Sequence, residues 1–384
     1  MGAPAGPGHS GARPADLLPR LGRVPARFYR RGTAASSETS RFPQAMSLAD
    51  RFVDRFKNGA VPALEIIFRR CLRTRFQGSS CDRCAKECPV EALRLEPGKI
   101  TLDPKRCVGC LACIAVCPAE ALLGCDSRLA AAPAKVVAGK AVSFCCEKGI
   151  RTGEEIILPC LGALSEEHLV AFAVRAGKTV CLNLVRCTDC RATFVPDILV
   201  RRLQALERKL GRDGLTSVIR LITREEEVEA GQTANSLSRR AFFRAFRELS
   251  FHAATETVIA LQADPNPREQ HAHKHQPARL AVLRQTLAEC DEESIRLALL
   301  RFFFTLAVSS DCNFCGACVG MCPTGALKNI WEEGVKQLRF DWARCSGCGL
   351  CLEFCREKAL TLVAGRSAES IDQGKDILLQ ASRA

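Results

Sequence analysis

The spacing of cysteines constrains this chain more than any other feature. Four runs leave only two or three residues between neighbouring cysteines: Cys81, Cys84 and Cys88; Cys107, Cys110, Cys113 and Cys117; Cys312, Cys315, Cys318 and Cys322; and Cys345, Cys348, Cys351 and Cys355. The first three runs end in Cys-Pro, at Pro89, Pro118 and Pro323, whereas Cys355 is followed by Arg356. The full chain of 384 residues holds 24 cysteines. Disulfide frameworks belong to short secreted chains, and no signal peptide opens this sequence. Thiols repeated this closely therefore point to metal ligation in a reducing compartment, and we expect a cytoplasmic protein.

The pattern C-x2-C-x2-C-x3-C-P is that of iron–sulfur ligation. A spacing of three sets successive thiolates on one wrapping loop, so that three sulfurs can grip one face of a four-iron cluster. The fourth cysteine enters a helix and points away. Gly316, Gly320, Gly347 and Gly349 permit tight turns and a close backbone approach. Zinc is the alternative, since C-x2-C is also a zinc grip, and it would make the chain a zinc-stabilised scaffold. Two complete four-sulfur runs in one block favour iron–sulfur clusters.

These residues resemble bacterial two-cluster ferredoxin domains over residues 300–363 and, less completely, 65–125. The resemblance implies two short hairpins and two helices around a pair of [4Fe-4S] clusters, hence up to four in the chain. By that plan one cluster takes Cys312, Cys315, Cys318 and Cys355, and another takes Cys345, Cys348, Cys351 and Cys322. In the first block Cys107, Cys110 and Cys113 join Cys88. Cys81, Cys84 and Cys117 are then left one sulfur short, because Gly78 stands where the pattern wants cysteine. Cys71 is the expected fourth ligand, with Cys125 a weaker candidate. If Cys71 only packs as a free thiol, the site would hold a [3Fe-4S] cluster or an open iron.

Between the two blocks the pattern changes to alternating strands and helices. AVSFCC, EEIILPCLG, TVCLNLV and SVIRLITR read as strands, while SEEHLVAFAVRAG and FVPDILVRRLQALERKL read as helices. This is the βαβαβ rhythm of a small layer with a mostly parallel sheet. Cys145, Cys146, Cys160, Cys187 and Cys190 would gather at the C-terminal ends of its strands, where such folds build their sites; Cys181, in mid-strand, reads as core. This region resembles the delta subunit of the methyl-viologen-reducing hydrogenase, which implies a [2Fe-2S] cluster on Cys145 or Cys146 with Cys160, Cys187 and Cys190. Zinc on the same thiols is the rival.

The expected fold is thus a multidomain α+β and α/β chain, with two dicluster modules (46–127 and 297–365) flanking a parallel-sheet domain (140–228). Residues 1–45, rich in Gly, Pro, Ser and Arg, read as a disordered or misassigned extension. Residues 47–75 read as helical, 229–296 as a helical and linker region, and 366–384 as a loose tail or short final helix. SRRAFFRAF (238–246) reads as an amphipathic helix, and the histidines of HAHKH (271–275) as a solvated linker. The net charge of +13 includes +5 from residues 1–45, and one Tyr and two Trp make a poor stacking platform for nucleic acid. The most apolar stretch, 297–308, is too short for a membrane span and contains Arg301. No G-x-G-x-x-G follows a strand and no G-x4-G-K-[ST] occurs. The chain therefore reads as an electron-transfer protein or subunit relaying single electrons between redox partners. A hydrogenase, a formate dehydrogenase or another molybdenum or tungsten enzyme would suit. The alternative is a catalytic oxidoreductase performing thiol–disulfide chemistry at the middle-domain cysteines.

Overall fold

A strand where a helix is expected sets up the N-terminal module. The computed structural model describes residues 64–124, 127–151, 153–210, 217–225, 271–367 and 376–382; the readings of 1–63, Cys125 and 238–246 lie outside them. The helix read over 47–75 is not continued in 64–75. Strand β1 (Leu64–Ile66) is followed by a 3-10 turn (Phe68–Arg70) and a single helical turn, α1 (Leu72–Arg75). Leu64 and Ile66 on the buried side suit a strand, and the pairing available from β4 decides the outcome. Short helices α2 (Arg83–Lys86) and α3 (Ala112–Val116) carry cysteines, and the hairpin β2 (Leu93–Glu96)–β3 (Lys99–Leu102) lies between them. Strand β4 (Leu122–Gly124) closes the module by pairing antiparallel with β1, Ile66 opposite Leu122. Its small core joins Leu64, Leu93, Ile100 and Leu122 to Cys113 and Cys117.

The middle region contains helix α4 (Arg128–Lys135), then β5 (Val142–Cys146), β6 (Ile156–Leu158), α5 (Glu166–Ala176), β7 (Val180–Asn183), α6 (Val195–Leu210) and β8 (Ile219–Ile222). The four strands form a parallel sheet in the order β6-β5-β7-β8. The strand order reverses between β5 and β7, which opens the crevice that doubly wound sheets use for sites. Helix α5 is well terminated: Ser165 and His168 form a reciprocal capping box, and Gly177 closes the C-terminus in the left-handed conformation. Phe144 and Phe172 stack at 4.8 Å in the core.

Helices α7 (Ala278–Glu289) and α8 (Glu293–Leu300) lead into the second cysteine block. There β9 (Phe304–Val308), α9 (Ala317–Met321), β10 (Leu327–Glu332), β11 (Val335–Phe340), α10 (Leu350–Phe354) and β12 (Leu360–Ala364) repeat the plan of the first module. β9 pairs with β12, and β10 with β11, both antiparallel. The tail is neither loose nor helical over Asp376–Ser382, which forms strand β13 on the free edge of β11. That edge offers unpaired backbone groups, and the added strand satisfies them. Arg366 anchors the return with two parallel hydrogen bonds to the Asp376 carboxylate, at 2.7 and 3.0 Å.

One buried cluster runs from Phe144 and Leu182 of the parallel sheet through Leu283 and Leu299 to Phe303, Phe340 and Cys322. The N-terminal module reaches the same cluster through Cys110 and Ala112 and adds a polar contact to the sheet domain. Arg202 on α6, almost fully buried, pairs with Glu87 at 2.6 Å and donates to the carbonyls of Gly162, Leu164 and Ala112. Gly162 permits this fit, because a β-carbon there would lie 2.3 Å from the Cys110 carbonyl oxygen. Among the described residues no helix is long and apolar enough to cross a membrane. Arg202→Met is expected to cost about 3 kcal/mol in urea unfolding, since it leaves three buried carbonyls and the half-buried Glu87 carboxylate without their donor. Lys209→Met, which breaks the partly exposed Lys209–Glu166 pair, should cost less than about 1 kcal/mol.

Candidate metal centres

The four cysteine runs fold into four groups, each drawing three sulfurs from one stretch and one from elsewhere. Cys312, Cys315, Cys318 and Cys355 line one cavity of about 300 Å³, walled by Leu338, Phe354 and Leu360. Cys322, Cys345, Cys348 and Cys351 line a smaller hollow, and Cys88, Cys107, Cys110 and Cys113 another. Cys71, Cys81, Cys84 and Cys117 are close enough to act on one another electrostatically. These are the groupings that the ferredoxin resemblance implies, with Cys71 in the vacant place.

Backbone geometry explains how each run wraps. In Cys107–Cys110, Cys312–Cys315 and Cys345–Cys348, the residues just before and just after the second cysteine adopt positive φ: Gly109 and Leu111, Phe314 and Gly316, Gly347 and Gly349. Two left-handed residues around one cysteine curl the chain about a point. The first run lacks this curl, because Arg83 and Ala85 lie in helix α2. Gly78 could not supply the missing sulfur without disturbing its surroundings. A β-carbon there would meet the Phe76 ring at 2.6 Å, and Phe76 packs edge-on against Phe354. Cys71 instead enters from the bend between the 3-10 turn and α1, where its extended backbone (ψ 131°) breaks the helix.

A second repeated device sits beyond each last cysteine. Cys88, Cys117, Cys322 and Cys355 are each followed, three residues on, by a residue of positive φ (Glu91, Glu120, Gly325, Lys358), and four residues on by a buried alanine (Ala92, Ala121, Ala326, Ala359). The alanine N–H reaches the cysteine sulfur at 3.3 Å for Cys88 and 3.2 Å for Cys117. Such bonds to ligand sulfurs are one of the means by which proteins tune iron–sulfur potentials. The fourfold C-x3-A pattern was readable in the sequence and is missed by attention to cysteine spacing alone.

The donor chemistry fits iron–sulfur clusters. Burial, and then the charges of Cys117, Cys71 and Cys81, push the Cys84 thiol up to about 12. Burial, then Cys322, does the same for Cys348. Four thiols crowded into an apolar site cannot ionise together unless a cationic centre takes up their charge. Among the described residues no three cysteine, histidine or carboxylate side chains are arranged to hold a single ion.

In the middle domain Cys146 ends β5, Cys160 follows β6, and Cys187 follows β7, all on the C-terminal edge of the parallel sheet. Cys160 feels the charges of Cys146 and Cys187, and Cys187 those of Cys146 and Cys190, so these four form one group. Cys145 points the other way, its sulfur 3.6 Å from the Ile150 carbonyl. Cys181 packs with Val185 and Ile222, apart from the group. Cys160 also lies beside Cys110 of the N-terminal module.

The two dicluster modules meet directly. Leu72, Ala119, Met321 and Leu350 form a shared core flanked by Cys81 and Cys348. The HAHKH segment, expected to be a solvated linker, is instead a strap across this junction. Its backbone and side chains both find partners: Arg75 donates to the His271 and His273 carbonyls, and Lys274 donates to the Val319, Gly320 and Cys322 carbonyls. His275 bonds Glu120 through its ring and Pro323 through its backbone N–H. Burial pushes the Glu120 carboxyl up, but His275, the Ala278 N–H and Arg70 outweigh it and hold the carboxyl below its usual range. The stability it contributes is therefore present above about pH 4.3 and lost as pH falls through the lowered value. Glu120→Gln should speed amide hydrogen exchange across 275–278 by about tenfold at neutral pH, the loss of roughly one charged hydrogen bond. It should also remove that acid dependence; unchanged exchange would show that the strap is held by other contacts.

Two family descriptions, each of a 4Fe-4S dicluster domain, match residues 46–121 and 306–362. Among curated proteins the chain is similar to a subunit of an ion-translocating oxidoreductase complex from Methanosarcina acetivorans, 40% identical over 42 residues, 11% of this chain and 16% of that one. YsaA of Escherichia coli, provisionally named an electron transport protein, is 33% identical over 70 residues, 18% of this chain and 45% of that one. A ferredoxin from Alicyclobacillus acidocaldarius is 38% identical over 45 residues, 12% of this chain and 58% of that one. The chain thus spans between a sixth and three fifths of the relatives it matches. No solved structure matches it at a significant level. From the family matches and the repeated sulfur geometry together, the chain carries two ferredoxin-type 4Fe-4S dicluster domains, one on either side of a parallel-sheet domain.

Proposed function

We propose that the chain is a relay for single electrons between redox partner proteins, with four [4Fe-4S] sites. They are Cys88/Cys107/Cys110/Cys113, Cys71/Cys81/Cys84/Cys117, Cys322/Cys345/Cys348/Cys351 and Cys312/Cys315/Cys318/Cys355. The observation that carries this reading is the meeting of the two dicluster modules at a common core, with Cys81 and Cys348 on its flanks. Bound iron–sulfur clusters supply reversible one-electron chemistry and no group transfer when every iron is capped by sulfur. The protein's part is to hold the sulfurs, exclude water with Leu338, Phe354 and Leu360, and set the local charge. Cys315 is the exposed member of its group, so that site is the one within reach of a partner. A hydrogenase, a formate dehydrogenase or another molybdenum or tungsten oxidoreductase is the class of partner we propose, in a reducing cytoplasm.

The Cys146/Cys160/Cys187/Cys190 group is a fifth metal site in this reading, a [2Fe-2S] cluster in the manner of the hydrogenase delta subunit. Its neighbour Cys110 would make it a branch from the N-terminal module. Thiol–disulfide catalysis at the same cysteines is less well supported. Burial pushes Cys160 up to about 12 and Cys187 to about 11, which disfavours the nucleophilic thiolate.

Purified without oxygen, the chain should carry about sixteen irons in its four cubane sites, and more with the middle site filled, and give paramagnetic signals after dithionite. A colourless product or one carrying zinc would end the proposal. Cys71→Ala should lose about one iron per chain and gain an oxidised-state three-iron signal. Unchanged iron and spectra would mean that Cys71 only packs.

A further inference from the structure

Three cations converge on one of the four sites, and two of them come from the other module. Arg75, at the end of α1, is 4% exposed. Its guanidinium donates to the carbonyls of Arg69 at 3.2 Å, His273 at 3.3 Å and His271 at 3.2 Å. Burial lowers its pKa, while Cys322 and Cys348 act to raise it. Arginine nonetheless stays charged in proteins. Arg83, on α2, donates to the Gly347 carbonyl at 3.1 Å, inside the Cys345–Cys348 loop, and its charge acts on Cys348. Lys274 of the strap donates to the Cys322 carbonyl at 2.9 Å. One acid joins the same junction, Glu353, which accepts from Ser80.

We propose that Arg75 and Arg83, with Lys274, are positioning charges of the Cys322/Cys345/Cys348/Cys351 site, through which the N-terminal module raises the reduction potential of its neighbour. The inference rests on the four-site reading above. Reduction adds one electron, and so one negative charge, to whatever the four sulfurs hold, while the guanidinium groups keep their protons. A fixed cation in a poorly screened site favours the more negative form. The Cys312/Cys315/Cys318/Cys355 site instead has cations of its own module, Lys336 donating to the Phe314 carbonyl at 2.8 Å and Arg356 in the cavity wall. The site at the inter-module core is thus the one whose potential depends on cations supplied by the N-terminal module.

The test is an anaerobic redox titration of the full-length holoprotein followed by electron paramagnetic resonance, with the site's signal marked by Cys348→Ser. In Arg75→Gln that signal's reduction equilibrium should weaken about tenfold, a fall of about 59 mV for one electron, with the other midpoints unchanged. Arg75→Lys, which keeps the charge, should stay near the wild-type value. Arg83→Gln, on an exposed side chain, should shift the same midpoint in the same direction by a smaller amount, together with that of the Cys71/Cys81/Cys84/Cys117 site, on whose Cys81 its charge also acts, and it carries the test if Arg75→Gln does not fold. Equal shifts in Arg75→Lys and Arg75→Gln, a shift spread over all sites, or no shift in the Arg83 variant would overturn the inference. Absence of iron from the wild-type chain would instead overturn the four-site reading on which it rests.

Discussion

Everything in the two end modules depends on delivering four sulfurs to each of two neighbouring points from a chain with little else to bury. The N-terminal module shows how severe this is: Cys113 and Cys117 themselves belong to its core, beside only a handful of aliphatic residues. Domains this small rarely gain enough from apolar burial alone and need a staple. When metal ligands are supplied from both halves of a module, binding free energy becomes folding free energy. In the proposed assignment the exchange of fourth cysteines, Cys117 to one group and Cys88 to the other, would tie the two halves together in this way. Cys355 and Cys322 repeat the arrangement.

The same constraint explains which features were legible in the sequence. Cysteine spacing is set by the loop that must curl round a point, so the complete runs could be grouped before any fold was known. The alternation of apolar strands and amphipathic helices from Val142 to Ile222 was equally readable, since each strand of a parallel sheet buried on both faces must be apolar throughout. Cys160, Cys187 and Cys190 gather with Cys146 as the strand ends require. The choice of Cys146 over Cys145 follows from the side-chain alternation of β5, which sends neighbouring residues to opposite faces.

What stayed hidden was decided by partners distant in sequence. Residues 64–66 are a strand because Leu122–Gly124 offers a pairing edge, and nothing local to the run announces that edge. Asp376–Ser382 is a strand for the same reason, on the edge of β11, with Arg366 gripping Asp376. HAHKH reads as a solvated linker because its residues are polar. Their polarity is used instead to cap carbonyls at the end of α9 and to meet Arg75 and Glu120. Polar segments and solvent-exposed segments look alike in sequence, and only the neighbouring module distinguishes them.

The placement of the parallel-sheet domain then takes on a different meaning. A middle domain flanked by two redox modules suggests a bridge, yet the modules touch without it, through Leu72, Ala119, Met321 and Leu350. None of the described sheet-domain residues belongs to that core. The sheet domain shares its core with the C-terminal module and is joined to the N-terminal one by Arg202 and by the close approach of Gly162 to Cys110. Its own cysteines open toward Cys110, the farther group of the N-terminal module from the inter-module core. The sheet domain makes buried contacts with both modules, beside the junction at which Arg75 and Arg83 meet the neighbouring site. The polar seam at Arg202 and the cationic junction at Arg75 are therefore two polar contacts by which the N-terminal module meets the rest of the chain.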